Sequence, residues 1–199
     1  FSDFFDIYKC DENVVLGINL TILNKCLKFI NNEYNLIIKY EGEELKLIAK
    51  KDDKVKEYNI KLLDIECDRM EIPETETNGN IISLLSSEFK NICNELSQIG
   101  ETIDININDS NITFSSEDGI INEIIKLNFN EEKIQKINYE ENLKFTFSSK
   151  YLNTIVKASS LSNNVIINFM YEYPLLVKYK IDENSYIKYY LAPKIEDDY

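Results

Sequence analysis

Histidine is missing from this chain altogether. That absence excludes imidazole acid–base catalysis and any metal centre that needs an imidazole ligand. Cysteine is sparse: Cys10, Cys26, Cys67 and Cys93 are widely scattered and form no C-x-x-C pair. A zinc site and a disulfide-stapled secreted module are therefore both unexpected, and the thiols read as reduced and structural. No stretch approaches the roughly 18 uninterrupted apolar residues of a membrane span, and the first residues lack the basic-then-apolar order of a secretory signal. The expectation is a soluble intracellular protein with no membrane association and no cofactor.

What the chain does carry is negative charge, a net −13 over 199 residues of which 44% are hydrophobic. That apolar fraction supports one large or two small packed domains. Taken as an average, such a charge repels nucleic acid, so the placement of the lysines decides whether a polyanion can be bound.

Three short stretches have helical spacing. In residues 20–30, "LTILNKCLKFI", Leu20, Leu23, Leu27 and Ile30 recur on one face. In residues 87–99, "SEFKNICNELSQI", the stripe is Phe89, Ile92, Cys93, Leu96 and Ile99, with Ser86 or Ser87 as the expected N-cap and Gly100 as the stop. Residues 149–159 bury Leu152, Ile155 and Val156. Nearly everything else alternates with period two, as in "TIDININ", "NVIINFM", "LLVKYKI" and "SYIKYYLA", between turn clusters such as "NDSN", "SEDG" and "DENS". A short helix followed by several antiparallel strands recurs, which predicts an α+β fold built on an internal repeat. The segment 62–80, rich in acids and holding a Pro and a Gly, reads as an interdomain linker.

The lysines are not spread evenly. Lys25 falls opposite the leucine stripe of the first helix with Lys28 on its flank, and Lys150, Asn153 and Lys157 share the outer side of the third. Neither outer face holds an aspartate or glutamate. The second helix turns Lys90, Asn91 and Asn94 outward, diluted by Glu95. Such faces suit phosphate contact without base reading, and they equally suit a helix that is simply solvated.

Ordered motifs then point to a family. "YKCDENVVLGINLTILNKCLKF" (8–29), "KEYNIKLLDIE" (56–66), "IPE" (72–74), "FKNICNELSQIGE" (89–101), "KYLNTIVKASSLS" (150–162), "YPLLVKYKI" (173–181) and the closing "KYYLAPKIEDD" (188–198) resemble the eukaryotic sliding clamps, the proliferating cell nuclear antigen family. The resemblance covers essentially the whole chain. It implies a DNA-clamp fold with residues 1–61 as the C-terminal part of a first domain, 62–80 as the linker, 81–190 as a second domain and 191–199 as an acidic partner-binding tail. The resemblance also implies that an N-terminal portion of the first domain precedes Phe1.

By the same resemblance the protein is a nuclear homotrimeric ring with helices inside and sheets outside, and it is not an enzyme. It would enclose duplex DNA and tether polymerases, the clamp loader, nucleases and ligases through short peptide motifs. The DNA-facing residues would be Lys25, Lys28, Lys90, Asn91, Asn94, Lys150 and Lys157. The partner groove would use Met70, Ile72, Pro73, Pro174, Tyr190, Leu191, Ala192, Pro193 and Ile195. Subunits would join by pairing residues 54–60 of one copy with 120–127 of the next, through Val55, Tyr58, Ile120, Ile124 and Leu127. Asp109 stands where relatives often carry a lysine modified by ubiquitin, so that regulation is not carried over. Within the class, the alternative is a subunit of a heterotrimeric checkpoint ring. Outside it, Ser87 and Lys90 fit the S-x-x-K of a serine hydrolase whose companion motifs are absent, and the pairs Glu43–Glu44 and Asp197–Asp198 read as solvated acid.

Overall fold

The computed structural model describes residues 5–65, 78–130 and 134–194. Backbone contacts divide the chain into two units, Ser2–Ile72 and Pro73–Tyr199. The first contains helix α1 (Leu20–Lys28) and strands β1 (Asn35–Glu41), β2 (Glu44–Lys51) and β3 (Lys54–Lys61), joined as an antiparallel meander in that order. Period two decides its faces: Leu45, Leu47 and Ala49 of β2 are buried and the residues between them are not. With Ile60 of β3 the two leucines form a small core, which Leu23 and Cys26 of α1 cover.

The stripe expected on α1 is therefore rotated. Leu20 is 74% exposed and Leu27 is exposed as well, because one short helix lying on one strand of the meander can cover only a narrow band. The helix is pinned at both ends instead. Asn19 caps its start by accepting from the amides of Thr21 and Ile22 at 3.0 and 3.2 Å. Beyond its end the Lys56 ammonium donates to the Phe29 carbonyl and sits 4.4 Å from the centroid of the Tyr34 ring.

The second unit shows the repeat most clearly. Strand β4 (Asn80–Leu85) runs directly into helix α2 (Ser86–Leu96), which is followed by the meander β5 (Thr102–Ile107), β6 (Asn111–Glu117) and β7 (Asn122–Asn128). After β8 (Ile134–Asn138), strand β9 (Leu143–Ser148) runs directly into helix α3 (Ser149–Ile155). A 3-10 turn (Val156–Leu161) and the meander β10 (Asn164–Phe169), β11 (Leu175–Lys180) and β12 (Tyr186–Leu191) complete the unit. The two halves exchange their first strands: β9 pairs with β5 in the sheet β7-β6-β5-β9, and β4 pairs with β10 in the sheet β12-β11-β10-β4-β8. Between the sheets and helices lies one large core holding Phe89, Phe114, Phe147, Phe169 and Tyr179.

Three local expectations are corrected. Neither Ser86 nor Ser87 caps α2: Leu85 holds the cap position without a side-chain bond, and Ser86 is buried as the first helical residue. Its amide donates to the Asn163 carbonyl at 2.8 Å. The Ser149 amide does the same to Glu101 at 3.0 Å, so a loop carbonyl replaces the cap wherever a strand passes straight into a helix. Asn153 is half-buried, not outward, and its Oδ1 meets no hydrogen-bond partner. Nor does Gly100 end α2, which stops at Leu96 with Ser97 as its C-cap; Gly100 serves a close approach instead, since a Cβ there would stand 2.5 Å from the Glu117 carbonyl oxygen.

One polar side chain fixes the start of the second unit. Asn80 is fully buried, its Nδ2 donates to the Glu141 carbonyl at 2.6 Å, and its Oδ1 accepts from the amides of Glu140 and Glu141 at 2.8 and 3.3 Å. Asn80→Ala removes these three part-buried bonds and should cost about 1–3 kcal/mol. Urea unfolding followed by circular dichroism is expected to show a lowered midpoint at unchanged slope; an unshifted midpoint would refute this role.

Candidate nucleic-acid and partner interfaces

The outward helical residues can be placed within each unit. On α1, Lys25 and Lys28 are exposed in the last turn, where the helix dipole favours cations, and no acid lies in the helix. On α3 and the turn after it, Lys150 and Lys157 are exposed above buried Leu152, Ile155 and Val156. On α2, Lys90, Asn91 and Asn94 are exposed beside Glu88 and Glu95. Glu95 also faces Glu123 of β7, whose carboxyl is pushed above the usual range first by burial and then by Glu95 itself. Ser87 and Lys90 are both exposed on that outer side.

The strands assigned to subunit contact occupy equivalent places. β3 and β7 are each the third strand of a helix-led meander, and each forms an edge of its sheet. Val55 on β3 and Ile124 on β7 are 58% and 61% exposed. Tyr58 and Leu127 instead lean half-buried on their own cores. Ile120 is almost fully exposed but precedes the strand, in a turn whose shape Asp118 fixes by accepting from the amides of Ile120 and Ile121, both at 3.0 Å. Those two bonds hold the Asp118 carboxyl below its ordinary range.

The tail residues converge on the end of the β11–β12 pair. Leu175 faces Leu191 and Leu176 faces Tyr190 in the register, so Pro174 enters β11 at the end where Ala192 and Pro193 leave β12. Leu191 belongs to β12 and packs on the core, so it is not a free tail residue. Burial, and after it Tyr186, pushes the Tyr190 phenol up. The chain then crosses to the other sheet, where the Lys194 amide donates to the Thr146 carbonyl of β9 at 2.8 Å. This anchor has no signal in the sequence, because nothing in "APK" announces a bond to a strand some fifty positions earlier. Met70, Ile72, Pro73, Ile195, Asp197 and Asp198 lie outside the described residues.

Of the stretch read as a linker, the Leu62 and Leu63 amides donate to the carbonyls of Glu43 and Gly17 in the first unit, both at 2.9 Å, and Asn80 begins β4. Asp109 is exposed and pairs with Lys136 at 2.6 Å, a surface ion pair of the kind that contributes about 0–1 kcal/mol. Cys93 is fully buried, and burial alone pushes its thiol up to about 12, as suits a packing residue. Among the described residues no group of three or more Cys, Asp or Glu side chains could hold a metal ion.

Comparison with known proteins covers both units. Residues 1–71 match the N-terminal domain of proliferating cell nuclear antigen, and residues 71–194 match its C-terminal domain. The proliferating cell nuclear antigen of Chaetomium thermophilum is 40% identical, in an alignment spanning 98% of this chain and 78% of that protein. Three helix-led meanders, one in the first unit and two in the second, carry both domain signatures in order and leave one assignment: the chain belongs to the proliferating cell nuclear antigen family of DNA sliding clamps.

Proposed function

We propose that three copies of this chain close head to tail into a ring, with Lys25, Lys28, Lys90, Asn91, Asn94, Lys150 and Lys157 turned toward an enclosed duplex. The observation that carries the reading is the acid-free outer face of α1 and α3 in a chain of net charge −13. Charge segregation of this kind lets an anionic particle hold a polyanion without reading its bases. Closure rests on β3 and β7, since an unpaired edge strand is a template for another chain.

The ring acts by topology and carries out no reaction of its own. Polymerases, the clamp loader, nucleases and ligases would dock by short peptides at the end of β12, where Pro174, Tyr190, Ala192 and Pro193 meet, together with Met70, Ile72, Pro73 and Ile195. Backbone groups of a sheet edge are suited to pairing with such an extended peptide. No helix among the described residues is long and apolar enough to cross a membrane, and the site of action would be the nucleus.

Retention on closed DNA tests the proposal. Full-length protein loaded onto a nicked circle should stay bound through a high-salt wash and leave promptly when the circle is cut. Loss in the wash while the circle is intact would show contact binding and overturn the topological reading. The isolated protein should have the mass of three chains; a ring formed only with other clamp subunits would overturn the homotrimer.

A further inference from the structure

The outer side of α3 and the turn after it holds two lysines with uncharged residues between them. Lys150 and Lys157 are separated by about 10–12 Å of helical rise. Each strand of a duplex presents a phosphate every 3.4 Å or so along its axis. Two ammonium groups at that separation stand farther apart than neighbouring phosphates, so they leave phosphate between them without a cation.

The candidates for those phosphates are few. Thr154 is exposed, but its hydroxyl already donates to the Lys150 carbonyl at 3.1 Å. Asn153 is half-buried, which leaves its amide less open than an exposed donor. Leu152, Ile155 and Val156 are in the core. Tyr151 remains, 59% exposed on the flank of the lysine face. A large ring left in water on a helix whose other long apolar side chains are buried is the kind of amphipathic contact found at interfaces, apolar body and donor tip together.

On the reading that α3 faces the duplex, we infer that Tyr151 is a backbone contact of the clamp, its hydroxyl donating to a phosphate oxygen between those held by Lys150 and Lys157. Tyrosine is among the side chains that make such bonds. The contact is uncharged, so it strengthens binding without releasing a counterion. It also compensates for the weakness of α2, where one exposed lysine, Lys90, stands beside two exposed glutamates, Glu88 and Glu95.

Salt titration separates the two kinds of contact. Full-length clamp binds a short blunt duplex, followed by fluorescence anisotropy at several salt concentrations, for wild type, Tyr151→Phe and Lys157→Gln. Tyr151→Phe should weaken binding roughly three- to tenfold at every salt concentration, with the logarithmic salt slope unchanged. Lys157→Gln should reduce the slope by up to about 0.9. Phenylalanine keeps the ring, so light scattering and thermal melting should match wild type. Wild-type binding by Tyr151→Phe, with the slope still lowered in Lys157→Gln, would overturn the inference and leave the DNA-facing lysines in place. No effect of either variant would overturn both.

Discussion

Lysine in place of Ile124 is expected to reduce the particle to the mass of one chain, as read by size-exclusion chromatography with light scattering. Ile124 is an exposed apolar residue on β7, at the free edge of the sheet β7-β6-β5-β9. In the isolated chain the new ammonium stands in water, so the fold is undisturbed. In a strand-to-strand junction it is driven into a covered position with no counter-charge, at a cost of about 3–5 kcal/mol. That weakens each junction by roughly two orders of magnitude or more. Since a ring must close at every junction, processive synthesis should fall with it. Unchanged trimer mass would show that β7 is not the joint, whereas a lowered melting temperature of the single chain would show that Ile124 serves its own core.

The repeat and its strands were legible because their signals are local. Period-two runs such as "TIDININ" reappear as β5 and "LLVKYKI" as β11, each within a residue of its expected limits. The helices were legible as helices, but their ends and orientation less so. Leu20 fits the spacing of a buried stripe and is nevertheless exposed, since spacing says that residues share a face and not how wide a surface will cover it. Ser86 fits an N-cap, but the carbonyl of Asn163, far along the chain, satisfies its amide.

What the candidate sites owe to long-range pairing was out of reach. Val55 and Tyr58 look alike as apolar residues of one strand, and only the sheet shows the first facing solvent and the second leaning on Leu45, Leu47 and Ile60. The Lys194–Thr146 bond and the Glu95–Glu123 pair join elements that have no sequence relation. Tyr151 is masked in the sequence by the lysine beside it, which carries the charge, although its exposure on a short, otherwise polar face is implicit in the same helical wheel.

Charge reversal at Lys25, Lys28 and Lys157 is expected to cut loading onto DNA by more than about tenfold at moderate salt, with the trimer left intact. All three side chains are exposed and none has a carboxylate partner among the described residues, so their replacement by Glu removes no internal ion pair. The stability change should accordingly stay small, about 0.5 kcal/mol per site as for ordinary surface substitutions, apart from the loss of favourable cations in the last turn of α1. Three charges per chain change sign, a change of six units, on faces that hold no carboxylate and keep only Lys150 as a cation, so the potential met by an entering duplex goes from attractive to repulsive. The defect should grow as salt is lowered, because screening hides the repulsion at high ionic strength. Equal processivity of the variant and the wild type at low salt would show that these lysines do no more than solvate their helices. A defect that persists undiminished at high salt would point to a steric or folding cause, not to the electrostatic one argued from the acid-free faces.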